Sequence, residues 1–430
     1  MAIQSPKGTK DMLPQDSAAW QRIEQTMRQE AALAGYLEIR TPVFEHTELF
    51  ERGVGDSTDI VQKEMYTFLD KGGRSLTLKP EGTAGTARAL VQGKLYAGPL
   101  PTKMYYLNAP IFRYENPQSG RLREHHQFGM ECFGSKEPTA DAELIITILH
   151  ILNCLGLKDL GVNINSIGCP VCRPDYHKAL KDFLRERLDS LCPQCRERFE
   201  KNPLRVLDCK EEQCIRATRE APSILAHLCQ ECETHFLALK ALLSAQEVRY
   251  QVDPRIVRGL DYYTKTVFEI TMRTSRGDLA LCGGGRYDGL VEEIGGPALP
   301  GVGFGIGTER ILMELASQGI ESPLPRPCDV FVASLGEEAR IPAFLMTQRL
   351  RRFQIKADCD HNKRSLKAQL RFADKLGVKL LMIVGGDELA RGAVKVKDMG
   401  TGDETEVKTE QAPGYIQQKL AEKGEDVGHG

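Results

Sequence analysis

At 430 residues the chain is too long for one small core, and two or three domains are expected. A hydrophobic fraction of 41% and a charged fraction of 27% describe an ordinary globular protein, and a net charge of -2 excludes a global basic field, so nucleic acid could be met only through local patches. There is no run of about 18 apolar residues and no apolar secretory core in MAIQSPKGTKDMLPQD; a reduced, cytosolic setting is expected, where the thirteen cysteines point to metal ligands or buried thiols rather than disulfides.

In chain order, residues 15–34 carry helical spacing, with Gly35 placed as a stop. YLEIRTPVFEH is a strand interrupted by Pro42, as suits an edge or a bend. SLTLKPEGTAGTARAL is a strand that turns through Glu81, Gly82 and Thr83 into a helix. MYYLNAPIFRYE and HQFGMECFG are two antiparallel strands joined by a long polar loop rich in Arg, Gln and His. ADAELIITILHILNCLG is a buried helix. Residues 169–247 differ in character: charged helical segments carry eight cysteines and read as an inserted module. Strand and turn patterns return at VRYQVDPRIVRGLDYYTKTVFEITM, followed by CGGGRYDGL and by GVGFGIGTER, which opens into a helix. The prolines of ESPLPRPCD mark a linker. Beyond it, strands alternate with helices, which implies a small α/β domain on a largely parallel sheet, expected over 328–422, after a first domain over 1–324.

Several clusters carry chemistry. Arg113 ends a strand before the basic loop, and Arg310 sits at a strand-to-helix junction where backbone amides also favour anions. Guanidinium groups bind phosphate in bidentate fashion and keep their charge, so both suit a triphosphate, although either could be a surface ion pair. Glu81 and Thr83 in PEGTAG could face an ammonium group, and Gln127 and Glu131, four apart on the returning strand, share one face. RGLDYYTKTVFE combines Arg258 with the aromatic walls of Tyr262 and Tyr263; the plainer alternative is a turn with two half-buried tyrosines. The glycines of GGGRYDGL permit close backbone approach to a ligand, or merely a tight hairpin. GVGFGIG is no dinucleotide fingerprint, because the ribose-binding acid of a βαβ unit is missing.

The cysteines form three CxxC pairs, Cys169/Cys172, Cys192/Cys195 and Cys229/Cys232, with Cys209 and Cys214 as a looser fourth. This spacing suits tetrahedral zinc. Taken in order along the chain, Cys169, Cys172, Cys192 and Cys195 would form one site, and Cys209, Cys214, Cys229 and Cys232 a second. Four thiolates leave no open position for water, so such zinc would be structural; the alternative is a set of reduced thiols.

Together these segments resemble histidyl-tRNA synthetases, a class II aminoacyl-tRNA synthetase family, over nearly the whole chain. GYLEIRTPVFEHTELF is similar to class motif 1, a dimer-interface helix and strand; FRYENPQSGRLREHHQFGMECFG to motif 2; and GVGFGIGTERIL to motif 3. RGLDYYTKTVFE and GGGRYDGLV are similar to the two histidine-specific signatures. The resemblance implies an α+β fold: a class II catalytic domain on an antiparallel sheet, a helical insertion and a C-terminal α/β anticodon-binding domain. It implies ATP-dependent ligation of histidine to tRNA(His) through a histidyl-adenylate, with Mg²⁺, in a cytoplasmic homodimer. Glu81, Gly82 and Thr83 would bind the α-amino group, and Gln127 and Arg258 would meet the carboxylate. Glu131 and Tyr263 would bracket the imidazole, with Tyr262 and Tyr287 shaping the pocket. Arg113 would hold the α-phosphate and Arg310 the γ-phosphate; Gln127 borders the ATP, and Gln118, Arg121 and Arg123 would contact the tRNA acceptor end. His125 stands where the family often has an adenine-stacking Phe. The cysteine-rich insertion is not general in the family, so zinc does not follow from the resemblance. A non-catalytic paralogue, such as the synthetase-like regulatory subunit of histidine biosynthesis, would typically lack the C-terminal domain and intact signatures. A zinc-dependent RNA-binding protein would rest on the cysteines alone.

Overall fold

A computed structural model describes residues 3–55, 58–117, 122–274, 277–322 and 326–424. The chain divides into two compact units, residues 1–323 and 324–430.

The strands of the first unit are β1 (Leu37–Glu38), β2 (Phe44–His46), β3 (Tyr66–Leu69), β4 (Ser75–Leu78), β5 (Thr102–Phe112), β6 (Glu124–Phe133), β7 (Leu160–Ser166), β8 (Gln251–Val252), β9 (Thr264–Thr274), β10 (Gly277–Arg286) and β11 (Gly301–Gly307). Eight of them form one sheet in the order β1-β5-β6-β11-β10-β9-β7-β8. The outermost pairs, β1/β5 and β7/β8, are parallel, and every pairing between β5 and β7 is antiparallel. Pro42 lies between β1 and β2, and the two strands enter different sheets: β2 joins a small sheet ordered β2-β4-β3.

Helix α1 (Pro14–Leu33) begins with a proline, whose missing N–H costs nothing in a first turn, and ends where Gly35 takes φ 78°. Its buried residues Trp20, Ile23, Met27 and Ala31 recur every three or four positions, so one stripe faces the sheet. After α2 (Thr47–Val54), α3 (Thr83–Gln92) starts beneath a carboxylate cap: Glu81 accepts the backbone N–H groups of Thr83 and Ala84, each at 2.7 Å. Helix α4 (Pro138–Cys154) buries Leu144, Ile145, Ile148, Ile151 and Leu152, and each such side chain contributes about 1.5–3 kcal/mol. It can be apolar over so much of its surface because α1, α9 (Gln230–Ala245), β9 and β11 all pack against it.

Between β7 and β8 the chain leaves the sheet edge and returns to it, since Asn163 and Ile164 pair with Gln251 and Val252. Helices α5 (Arg173–Arg185), α6 (Pro193–Lys201), α7 (Leu204–Leu207) and α8 (Glu212–Ala217) build a lobe with its own core, including Tyr176, Leu180, Leu184, Phe199 and Leu204. Helix α9 belongs elsewhere: Phe236, Leu239 and Leu243 enter the main core. Helices α10 (Leu290–Glu293) and α11 (Thr308–Ser317) flank β11.

The second unit holds β12 (Val330–Ser334), β13 (Ala357–Cys359), β14 (Leu380–Val384), β15 (Ala393–Asp398) and β16 (Glu404–Lys408), in the order β13-β12-β14-β15-β16. The first three are parallel and the last two antiparallel, so the expectation of a largely parallel sheet holds only for its first half. The short 399–403 connection allows a hairpin where a helix would be needed to keep β16 parallel. Helices α12 (Arg340–Arg352), α13 (Leu366–Leu376), α14 (Gly386–Ala390) and α15 (Ala412–Gly424) complete it.

Candidate active site

One face of β6, β11 and β10 carries the floor of a cavity of about 340 Å³. Arg113, His125, Gln127, Arg258 and Arg310 all line it, together with Glu115, Glu309 and the backbone of Gly283 and Gly305. The structure therefore gathers residues from four separate motifs around one space. Arg113 is steered by its Nε, which donates to the Pro80 carbonyl at 2.8 Å. Arg310, in the first turn of α11, donates to the Ala280 carbonyl. Arg258 donates through Nη1 to Glu269 on β9 at 2.6 Å, while its buried Nε finds no hydrogen-bond partner among the described residues. Such an orphaned buried donor is costly unless a ligand accepts from it.

Burial and the positive charge of Arg113 lower the His125 pKa to about 4, so its ring is neutral at physiological pH. Its neighbour His126 behaves oppositely: Glu309 accepts both its backbone N–H and its ring nitrogen at 2.8 Å, and its pKa is raised. The alternation of β6 puts the two histidines on opposite faces.

Beyond Gln127 lies a closed cluster. Tyr106 donates to Gln127 Oε1 at 3.2 Å. Glu131 is fully buried; it accepts from the Thr83 hydroxyl at 2.7 Å and from the Tyr287 hydroxyl. Burial outweighs both donors and lifts its pKa to about 8. Tyr262, Tyr263 and Tyr287 surround it, with ring centroids 4.7 Å apart for Tyr262/Tyr263 and 6.4 Å for Tyr263/Tyr287. Their phenols stay protonated because burial raises the pKa of all three. Glu81, also buried, gives one oxygen each to Thr83 and Ala84 as the α3 cap, which leaves about two of its four lone-pair sites open. Gly82 lies against Tyr106: a Cβ there would meet the phenol ring at 2.4 Å.

Two glycines make this packing possible. Gly303 on β11 faces Glu131, and a Cβ there would stand 1.7 Å from its Oε2. A Cβ on Gly283 would stand 1.9 Å from Arg258 Nη2. Both strands thus need glycine because a long charged side chain lies across them.

Arg123 of the basic loop stands apart from the cavity lining. Arg123 stacks 4.3 Å from the Tyr114 ring and donates to the Glu115 carbonyl. Gln118 and Arg121 lie outside the described residues.

The cysteine grouping must be corrected. Cys169 and Cys172 meet Cys229 and Cys232, and Cys192 and Cys195 meet Cys209 and Cys214. Cys169, Cys172, Cys192 and Cys195 are therefore not one site. The reason is topological: the insertion leaves and rejoins one sheet edge, so its first and last CxxC pairs close its base, and the inner two pairs close on each other.

Tyr106, Glu269 and the ion pair behind Tyr287 belong to the site without standing out in the local sequence. Arg286 is fully buried and donates to Asp141 at 2.6 Å, while His235 of α9 contacts the same carboxylate at 3.3 Å. Only the glycines opposite Tyr106, Gly82 and Gly129, hinted at its inward orientation.

Comparisons with known proteins agree with this geometry. The family model described as histidyl-tRNA synthetase matches residues 8–311, and one described as an anticodon binding domain matches residues 329–419. The histidine--tRNA ligase of Caldanaerobacter subterraneus subsp. tengcongensis is 55% identical over 407 residues, 95% of this chain and 97% of its own length. That of Clostridium perfringens is 52% identical over 408 residues, with the same coverage. The apo histidyl-tRNA synthetase structure from S. aureus superposes with a TM-score of 0.83 at 37% identity, covering 96% of this chain and 99% of that one. A Bacillus halodurans structure described as an ATP phosphoribosyltransferase regulatory subunit/histidyl-tRNA synthetase, at 21% identity and a TM-score of 0.64, shares the fold. Family match, identity and cavity chemistry agree: the chain belongs to the histidyl-tRNA synthetase family, with a class II catalytic domain and an anticodon-binding domain.

Proposed function

We propose that the cavity joins histidine to ATP as a histidyl-adenylate and then passes the histidyl group to tRNA(His). The observation that carries this reading is the convergence of Arg113, Arg258 and Arg310 on one space beside the buried Glu131 cluster. The histidine carboxylate oxygen attacks the α-phosphorus in line, diphosphate leaves, and the terminal ribose hydroxyl of the tRNA then displaces AMP. No protein nucleophile is needed; the work is positioning and neutralisation of developing charge. Arg113 holds the α-phosphate, Arg310 the γ-phosphate, and Arg258 offers its unpartnered Nε to the carboxylate or the phosphate. Neutral His125 stacks on adenine, with Gln127 at the boundary of the two substrates. Glu81 and Thr83 take the α-ammonium group.

Glu131 and the tyrosine phenols read the imidazole. A ligand without two ring nitrogens leaves these buried polar groups unpaired, a penalty that supports discrimination without editing. Glu115 and Glu309 are the carboxylates of the cavity lining, and Glu309 also accepts from His126; bound Mg²⁺ would neutralise the outer phosphates beside them.

The basic 113–123 loop, with Arg121, Arg123 and Gln118, contacts the acceptor end, and residues 328–422 read the anticodon arm. Homodimerisation fits Leu33, Leu37, Phe44 and Leu69, which stand 75%, 75%, 51% and 70% exposed around the first motif. No helix among the described residues is long and apolar enough to cross a membrane. The proposed charging of tRNA is a reaction of the cytoplasm, and that is where this reading places the enzyme. Deleting everything after Pro327 tests the division of labour: histidine-dependent ATP–diphosphate exchange should survive better than tRNA charging. Equal loss of both would contradict it.

A further inference from the structure

The eight cysteines of the insertion are buried or nearly so, free of disulfides, and sorted into two groups of four. Within each group the sulfur atoms all lie within 4.8 Å of one another. Three of the sulfur–sulfur distances are 3.7 Å for Cys169/Cys172, 3.8 Å for Cys169/Cys229 and 3.9 Å for Cys192/Cys209. A disulfide requires about 2.05 Å. Four thiolates placed tetrahedrally about zinc at about 2.3 Å stand about 3.8 Å apart. The spacing is that of a tetrahedral ligand shell.

Further features belong to such a shell. The Cys229 backbone N–H donates to Cys172 Sγ at 3.0 Å, and that of Cys192 to Cys214 Sγ at 3.2 Å. Hydrogen bonds of this kind orient and stabilise ligating sulfur. Neither group includes an oxygen or imidazole ligand, and soft all-sulfur shells select zinc over magnesium or manganese. The lobe also needs a staple: α7 and α8 are 4 and 6 residues long, too short to hold themselves.

Both groups abut the segment 255–265 that carries Arg258, Tyr262 and Tyr263. At the base, Arg173 follows Cys172 and donates to the carbonyls of Ile167 and Tyr263. Glu231, between Cys229 and Cys232, holds Lys265 at 2.7 Å. At the tip, Arg205 donates to the Arg258 carbonyl at 2.7 Å and Asn202 to Asp261 at 2.9 Å. The Leu207 carbonyl, two residues before Cys209, accepts from Arg255.

We propose that the chain binds two structural zinc ions, one in Cys169/Cys172/Cys229/Cys232 and one in Cys192/Cys195/Cys209/Cys214, and that together they brace the lobe against the histidine-recognition segment. The brace rests on the function proposed above; the metal content does not. Arg173 and Lys265 are positioning groups here, carrying the base site's geometry to Tyr263 without touching substrate.

The test is elemental analysis of the full-length chain, produced with zinc in the medium and purified without chelators. Two zinc ions per chain are expected, and the double variants Cys172→Ser/Cys232→Ser and Cys195→Ser/Cys214→Ser should each retain one. Fewer than two in the unmodified protein, iron in their place, or two ions surviving in either variant would overturn the assignment. If a variant fails to fold, titration of demetallated full-length protein with Co²⁺ decides: tetrahedral thiolate absorption should saturate at two equivalents, and a lower plateau overturns it. Losing the base ion should raise the KM for histidine roughly tenfold and that for ATP little. An unchanged histidine KM would overturn the brace while leaving the metal. Two zinc ions in a protein with no histidine-dependent exchange would refute the function and spare the metal.

Discussion

The Thr83 hydroxyl donates to Glu131 at 2.7 Å, tying the first turn of α3 to the middle of β6 across 48 residues of sequence. With Tyr287 as its other donor, Glu131 is an acceptor inside a closed shell whose remaining capacity faces the proposed imidazole. Glu131→Ala leaves a bound imidazole N–H buried without its acceptor, at a cost of about 1–3 kcal/mol. The KM for histidine should rise roughly 5- to 150-fold while that for ATP changes little; steady-state exchange kinetics read both. Equal losses for the two substrates would refute the assignment.

The same carboxyl gives stability a pH dependence. An unperturbed glutamate titrates at 4.5, and this one at about 8 when folded. The folded chain therefore holds its proton more tightly, and this contribution to stability, complete below about 4.5, is lost as pH rises through about 8. Relative to Glu131→Gln, the unmodified protein should lose Tm steadily between those values. Parallel Tm profiles for the two proteins would mean that the carboxyl is not so perturbed.

His125 is held neutral by burial between arginines, so it can stack as an aromatic without a pH limit near 6. His125→Ala should raise the KM for ATP roughly 2- to 12-fold, the value of one aromatic contact of about 0.5–1.5 kcal/mol. His125→Phe should restore it. Failure of Phe to rescue would show that a ring nitrogen, and not the ring face, is used.

Gly303→Ala would drive a Cβ to 1.7 Å from Glu131 Oε2, so either β11 or the carboxylate must move. A destabilisation of about 1–3 kcal/mol is expected from such overpacking, with loss of histidine affinity. Gly307→Ala, whose Cβ would have no neighbour within 4 Å, serves as the thermal control. Equal Tm values for the two variants would contradict the packing argument.

What could be read in advance, and what could not, follows from the range of the interactions. Arg113, Arg258 and Arg310 sit in local motifs whose chemistry is visible in a dozen residues, and the structure gathers them at one cavity. The Arg286–Asp141 pair spans 145 residues, so GGGRYDGL offered Arg286 no sign that it is a buried structural group. Cysteine spacing disclosed ligand pairs, but which pairs meet depends on β7 and β8 being neighbours, a fact of the sheet and not of the local sequence. Tyr106 looked like one more strand aromatic until the glycines facing it were placed beside it.

The central claim is that this cavity makes an adenylate with histidine. Mixing the protein with histidine and α-labelled ATP, without tRNA, and separating protein from free nucleotide measures it directly. The account predicts about one bound histidyl-adenylate per active site, absent with other amino acids and discharged on adding tRNA(His). No adenylate with histidine, or equal yields with unrelated amino acids, would contradict it.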